Sequence, residues 1–304
     1  MPGLTFREKR STAWHAAPKY PPEVEMTVVA IWLEPTEQVL WSIADTRISA
    51  PGPTGGRTIR TDSGAKLFAI PIHCQAARMN LDFRRKTLYL SSIGYAFAGD
   101  VLPATMTFAT ASTFLQNLTT VGSDDPPRLS EIAAMIGQLG QRFSKESLGS
   151  SNGKYGKFTA AVFGWCPTLN RFAIYELTPR LTSSTFEMQI EETLPKDNLS
   201  VVSFGTGAAR LIQQIDTIRQ HGDKYNRTAR IPKLAAEVLI EQDTSDVGGS
   251  LSIGAATRDD FRLYSYVTPI VKGKPEAKIS FNGIDLDQEA RLVGHYMVSI
   301  DGIA

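Results

Sequence analysis

Met26-Thr27-Val28-Val29-Ala30-Ile31-Trp32-Leu33, followed after Glu34-Pro35-Thr36-Glu37-Gln38 by Val39-Leu40-Trp41-Ser42-Ile43-Ala44-Asp45-Thr46-Arg47, is the stretch that decides the fold. Two short apolar and β-branched runs flank a five-residue polar connection containing proline, so the pair reads as a buried hairpin opening a sheet. A start-like methionine precedes a small hydroxyl residue at its head. If Thr27 becomes the mature N-terminus, one residue carries both a nucleophilic hydroxyl and the free amine that serves as its base.

Outward from this hairpin, Ala50-Pro51-Gly52-Pro53-Thr54-Gly55-Gly56 reads as a loop and Lys66 to Ile72 as a strand. The polar, basic stretch His73 to Lys86 interrupts the sheet before Thr87 to Gly99 resumes it. Helical periodicity covers Ala104 to Leu118 and Leu129 to Phe143. After a Gly/Ser-rich loop at Ser147 to Lys157 come strands Phe158 to Trp165, Arg171 to Leu177 and Val201 to Phe204. Gly205-Thr206-Gly207 leads into a helix from Ala208 to His221, and Ile231 to Gln242 forms another. Ser250 to Ala256 and Phe261 to Tyr266 close as a hairpin.

Runs of strands and then runs of helices argue against a doubly wound parallel sheet. The expected class is α+β, with two antiparallel sheets face to face and helices outside. No internal repeat or low-complexity tract stands out. The expected domains are a leader at 1–26, a main domain at 27–266 and an extension at 267–304 that serves as an oligomer contact. Its segment Asp287 to Met297 reads as helix-like after a Gly/Pro-containing linker with Lys272, Lys274 and Lys278.

A chain of 304 residues, 42% hydrophobic with net charge +1, buries a large core without metal or disulfide support. Its 32 Lys and Arg against 31 Asp and Glu leave no excess to draw nucleic acid or an anionic membrane. Cys74 and Cys166 sit in no ligand spacing, which fits a reducing cytoplasm. No stretch reads as a membrane span, and 1–25 lacks the apolar run of a secretory signal. His73, His221 and His295 are isolated, with no visible metal partner. Gly205-Thr206-Gly207 lacks the Lys-Ser/Thr pair or third glycine of a phosphate loop. No cofactor is expected.

Thr27-Val28-Val29-Ala30, Ala44-Asp45-Thr46-Arg47, Ala65-Lys66-Leu67-Phe68, Phe97-Ala98-Gly99 and Gly205-Thr206-Gly207 occur in the order seen in proteasome β-type subunits. Val238 to Gly249 followed by Ser250 to Tyr264 also resembles that family's last helix, turn and hairpin. The chain therefore resembles a proteasome-like N-terminal-nucleophile hydrolase over Thr27 to Tyr266, closest in style to the bacterial HslV and Anbu ring peptidases. The resemblance implies a four-layer αββα sandwich and a threonine peptidase or amidohydrolase.

It implies the roles of single residues too. Thr27 attacks a peptide carbonyl, its α-amine, with a reference pKa of about 7.7 to 8.0, acting as base. Lys66 sits beside the hydroxyl as a cation, and Asp45 holds Lys66 charged and placed. The Gly99 backbone amide serves the oxyanion, a donor typically worth about 3 to 4 kcal/mol in the transition state. Thr206 matches a small hydroxyl residue, and Asp243 or Asp246 is its acidic companion. Arg47 and Phe97 fall on the substrate side, Phe97 as the floor of a specificity pocket. Each residue also has a plain reading. Thr27 is then a strand threonine, Asp45 and Arg47 a surface turn, Lys66 a solvated strand-edge lysine and Phe97 ordinary core.

Aligning Val29-Ala30 with the family's Val-Ala puts Met26, not Thr27, at the catalytic position, and a one-residue slip reverses the face a strand residue occupies. The leader matters equally. It is removed by self-cleavage, or translation starts at Met26 (Pro22-Glu23-Val24-Glu25 can be encoded with a GGAGG stretch), or it stays and the protein is a non-catalytic scaffold. The expected partners are a peptide or protein substrate, further copies of the chain in a ring or stack, and a separate ATPase unfoldase, since no ATP-binding loop is present.

Overall fold

The structure is a computed structural model that describes residues 7–8, 27–51, 57–77, 86–120, 122–153, 155–182, 185–195, 200–220, 230–268, 278–289 and 292–303. Met26 and most of the expected leader, the Gly52 to Gly56 loop, His221 and the 271–277 linker lie outside these residues.

The chain runs through β1 (Arg7–Glu8), β2 (Val29–Glu34), β3 (Val39–Asp45), β4 (Ile48–Pro51), β5 (Arg57–Thr61), β6 (Leu67–Gln75) and β7 (Thr87–Gly99). Next come α1 (Val101–Leu115), β8 (Leu118–Thr119), α2 (Leu129–Ser150), β9 (Phe158–Cys166), β10 (Arg171–Leu181), β11 (Phe186–Thr193) and β12 (Val201–Phe204). Then follow α3 (Ala208–Gln220), α4 (Ile231–Glu241), β13 (Leu251–Ala256) and β14 (Phe261–Val267). The chain ends with β15 (Ile279–Phe281), β16 (Ile284–Asp285), β17 (Leu292–Val293), β18 (Tyr296–Met297) and β19 (Gly302–Ile303). The class is mixed α+β with mainly antiparallel sheets, as expected. No described helix is long and apolar enough to cross a membrane.

The chain divides into two compact units. One contains Phe68–Lys196 and Ala256–Phe261 and carries a sheet in the order β1-β11-β10-β9-β7-β6-β8. Pairing is antiparallel along β11-β10-β9-β7, while the two-residue edge strands β1 and β8 pair in parallel. α1 and α2 cover it through a core that includes Tyr95, Phe97, Ile132, Ile136, Phe158 and Tyr175. Asp100 starts α1 earlier than periodicity indicates, since its Oδ1 accepts the Leu102 N–H at 3.1 Å. α2 closes on the sheet through glycines: a Cβ on Gly137 would lie 2.7 Å from Ile190 Cδ1 and one on Gly140 3.1 Å from Phe158 Cζ.

The other unit contains Met26–Leu67, Asp197–Ala255 and Arg262–Ala304, with sheet order β12-β2-β3-β13-β14-β15-β16 and β19 parallel to β14. The β2–β3 register, Val29 opposite Ala44 through Glu34 opposite Val39, is the expected hairpin. Val28, Ala30, Trp32 and Ile43 pack with Leu211 and Ile215 of α3 and Ala235, Ala236 and Leu239 of α4.

Several elements differ from expectation. β6 runs on through His73, whose ring is 2.9 Å from Thr87 Oγ1, so the polar stretch begins later than its composition indicates. β11 was not expected, although Phe186, Met188 and Ile190 alternate as a half-buried strand should. Asp287 to Met297 is not helical in its described part: it forms turns and the β17–β18 hairpin, with Gly294 at φ +62°.

Gly94 tests the packing of the first unit. A Cβ there would lie 2.3 Å from the Phe163 ring, which also meets Phe261 edge-on at 5.4 Å. Gly94→Ala should cost about 1 to 3 kcal/mol by overpacking, and Phe163→Leu in the same chain should recover part of it, as measured by denaturant unfolding.

Candidate functional site

All but two of the expected site residues lie in the unit that holds the β2–β3 hairpin. Asp45 ends β3, and the ladder continues one step beyond it, its N–H donating to the Val28 carbonyl at 3.2 Å. Its carboxylate is fully buried and collects donors from four segments. Oδ1 accepts Lys66 Nζ at 2.8 Å and the Val28 N–H at 3.0 Å. Oδ2 accepts the Gly248 N–H at 3.2 Å and the Arg47 N–H at 3.3 Å.

Lys66 is 1% exposed, which sets aside a solvated strand-edge lysine. Burial pushes its ammonium below the ordinary lysine range, with Asp45 opposing the shift. Burial likewise pushes Asp45 above the ordinary carboxylate range, against Lys66 and the N–H donors. Both directions have one cause, the loss of water, and each charge holds the other.

Thr46 and Arg47 anchor the turn beyond Asp45. Thr46 donates its N–H to the Ser250 carbonyl, and its Oγ1 accepts the Ser250 N–H at 2.7 Å while donating to the Asp62 carbonyl. The Arg47 guanidinium, 3% exposed as a residue, grips Asp62 through Nε–Oδ1 at 2.6 Å and Nη2–Oδ2 at 3.0 Å. It also reaches Asp243 Oδ1 and the Thr244 carbonyl, each at 2.6 Å. The Asp62 hydrogen bonds raise its pKa above the ordinary guanidinium range despite burial, with Asp243 adding to them.

The double glycine has a physical explanation. A Cβ on Gly248 would lie 2.5 Å from Arg47 Cζ, and Gly249, at φ +79°, would place one 2.7 Å from the Asp62 carbonyl. Gly207 is similar, with Val28 Cβ and Val247 Cγ2 each 2.8 Å from where its own Cβ would be. Its N–H donates to the Thr27 carbonyl at 3.0 Å, which ties the Gly205-Thr206-Gly207 turn to the head of β2. Thr27 itself is 1% exposed.

The two candidate aspartates take different partners. Asp243 holds Arg47 and has a largely exposed side chain, whereas Asp246 pairs with Arg210 at 2.9 Å. Burial works against the Asp246 charge, but the Thr244 hydroxyl and Arg210 outweigh it and lower its pKa, with a smaller contribution from Thr206. The Thr206 Oγ1 is buried and makes no hydrogen bond of ordinary geometry, yet lies near enough to favour the Asp246 charge.

Gly99 and Phe97 belong to the other unit. Gly99 has φ +108°, and a Cβ there would lie 2.8 Å from both the Lys157 carbonyl oxygen and Phe158 Cα, so only glycine fits. Phe97 packs in the helix–sheet core, stacked on Phe68 at 6.1 Å. Sequence reasoning missed Asp62, Thr46 and Arg210. A signal for Asp62 was available in Thr61-Asp62-Ser63-Gly64, a turn composition just before Lys66. Among the described residues no group of three or more His, Cys, Asp or Glu stands ready to hold a metal ion.

No protein-family model and no curated protein matches this sequence. Among solved structures, the chain is similar to Anbu (ancestral beta-subunit) from Yersinia bercovieri, with 9% identity, 78% of this chain and 86% of that one covered, and a TM-score of 0.47. It is also similar to the helical assembly of the Anbu complex from Pseudomonas aeruginosa, with 12% identity, 78% and 85% covered, and a TM-score of 0.48. At these values neither likeness bears on activity or assembly, and the function proposed below is built on the residues of the site.

The Asp45–Lys66 pair gives a direct test. Asp45→Asn leaves a buried ammonium without its counter-charge and should cost about 3 to 5 kcal/mol. Adding Lys66→Met should recover part of that loss, so the double-mutant cycle, read by denaturant unfolding, should show a large coupling; additivity would refute it.

Proposed function

We propose that this chain is a threonine-type peptidase or amidohydrolase of the proteasome-like class, with Thr27 as nucleophile once its α-amine is free. The observation that carries this reading is the shared oxygen: Asp45 Oδ1 binds both Lys66 Nζ and the N–H of Val28, the residue directly after Thr27. One carboxylate atom thus ties the buried lysine to the peptide unit of the candidate nucleophile.

In this reading the Thr27 hydroxyl gives its proton to the α-amine as its oxygen bonds to the scissile carbonyl carbon. The C–N bond then breaks, the leaving amine takes that proton, and water hydrolyses the resulting ester. Lys66 is the fixed positive charge beside the developing alkoxide. Asp45 places Lys66, and Arg47 braces the turn that carries Asp45. Gly99 as oxyanion donor, Phe97 at the specificity pocket, and Thr206 with Asp243 or Asp246 near the amine complete the proposal. Each unit supplies a sheet with two helices, as each half of a four-layer αββα arrangement needs. Assembly of copies into a ring or stack, fed by a separate ATPase, is the accompanying proposal for partners.

One observation favours a second reading. Val28, Ala30 and Trp32 face α3 and α4, so strand alternation turns Thr27 with Val29 and Ile31 to the other face, while Asp45 stands opposite Val28. A chain that keeps Met26 is then a non-catalytic assembly subunit.

Intact mass and N-terminal sequencing of protein expressed from the native gene region separate the two. A chain beginning at Thr27 is the expected result, and a chain retaining Met26 overturns the hydrolase reading. With Thr27 exposed, Thr27→Ala should lower turnover of a fluorogenic peptide amide by about 10³-fold or more, and Thr27→Ser should keep measurable activity.

A further inference from the structure

The extension beyond residue 267 joins the sheet that carries the site. β15 pairs with β14, Tyr266 opposite Ser280, and β16 turns back on β15, Phe281 opposite Ile284. The two residues between them are Asn282 at φ +51° and Gly283 at φ +81°, the pair of left-handed residues that a two-residue type I′ hairpin turn requires.

This turn lies against Asp62. A Cβ on Gly283 would lie 2.7 Å from the Asp62 carbonyl oxygen and 3.0 Å from Ser63 Oγ. Asn282 Oδ1 accepts the Ser252 hydroxyl at 2.6 Å, and Ser280 Oγ is 3.2 Å from Ser250 Oγ. The Asp62 carbonyl is therefore enclosed by Gly283 on one side and Gly249 on another, with the Thr46 hydroxyl donating to it. The Asp62 carboxylate in turn fixes Arg47, whose N–H shares Asp45 Oδ2 with the Gly248 N–H.

We propose that the Asn282–Gly283 turn is a positioning element of the site, holding Asp62 and, through Asp62, the Thr46–Arg47 turn that keeps the Asp45 carboxylate on Lys66, Val28 and Gly248. It acts through other groups and touches none of the reacting atoms. Its role in catalysis rests on the hydrolase reading, but the placement of the Asp45 carboxylate can be read without activity.

Gly283→Ala and Gly294→Ala make a matched pair. Both put alanine at a left-handed position of the same extension, but a Cβ at Gly294, φ +62°, meets nothing within 4 Å. Amide hydrogen exchange on the full chain is the readout. Gly283→Ala should speed exchange at Val28, Arg47 and Gly248 by about tenfold relative to Gly294→Ala, with the amides of α3 and α4 unchanged. Equal exchange in the two variants, or a uniform rise that includes α3 and α4, would overturn the proposal. Should Gly283→Ala not fold, Asn282→Gly, which keeps the left-handed turn and removes the Ser252 partner, must show the same local pattern at smaller amplitude, and its absence overturns the proposal equally. A wild-type chain that retains Met26 sinks the hydrolase reading and leaves this result standing.

Discussion

Asp45 is the constraint on which the second unit depends. A carboxylate without water must find partners or lose its charge, and here it finds an ammonium and three main-chain N–H groups drawn from Val28, Arg47 and Gly248. Those groups come from the start of β2, the turn after β3 and the loop before β13. The electrostatic need of one side chain therefore fixes where three pieces of backbone meet, and Lys66 is held against it by a 2.8 Å ion pair.

Around this centre, missing side chains matter as much as present ones. Gly207, Gly248 and Gly249 each leave room for a neighbour that any Cβ would displace: Val28, Arg47 and the Asp62 carbonyl. The guanidinium of Arg47 fills the space over Gly248 and spends its donors on Asp62, Asp243 and Thr244. Charges of both signs thus alternate from Lys66 through Asp45 and Arg47 to Asp62, and each is paired with a neighbour from another segment.

The β2–β3 hairpin was legible because apolar runs flank a polar turn, whereas Asp45 and Lys66 were picked out only by the order of the short motifs that hold them, since local composition reads them as a surface turn and a strand-edge lysine. Asp62 was legible only as part of the turn composition Thr61-Asp62-Ser63-Gly64, because its importance lies in contacts to Gly249 and Gly283, far along the chain. The helix expected over Asp287 to Met297 failed for a different reason. Its apolar residues fall at spacings that suit both periods, and Gly294 in the left-handed region decides for a hairpin. Among the candidates for the acidic partner, spacing alone left Asp243 and Asp246 open; the structure gives each its own arginine.

The division of the chain also orders its folding. The unit with α1 and α2 is nearly continuous from Phe68 to Lys196, whereas the unit with Asp45 is made of pieces on both sides of it. Contacts between neighbours in sequence close cheaply and early, while those across a long loop wait for the loop to form. β2 must stay unpaired with β12 until about 150 residues beyond Asp45 have been made, and β3 with β13 until about 200 have. The buried carboxylate and its lysine are therefore among the last groups to leave water as the protein emerges from the ribosome, and the chain carries no completed site until its C-terminal strands have been translated.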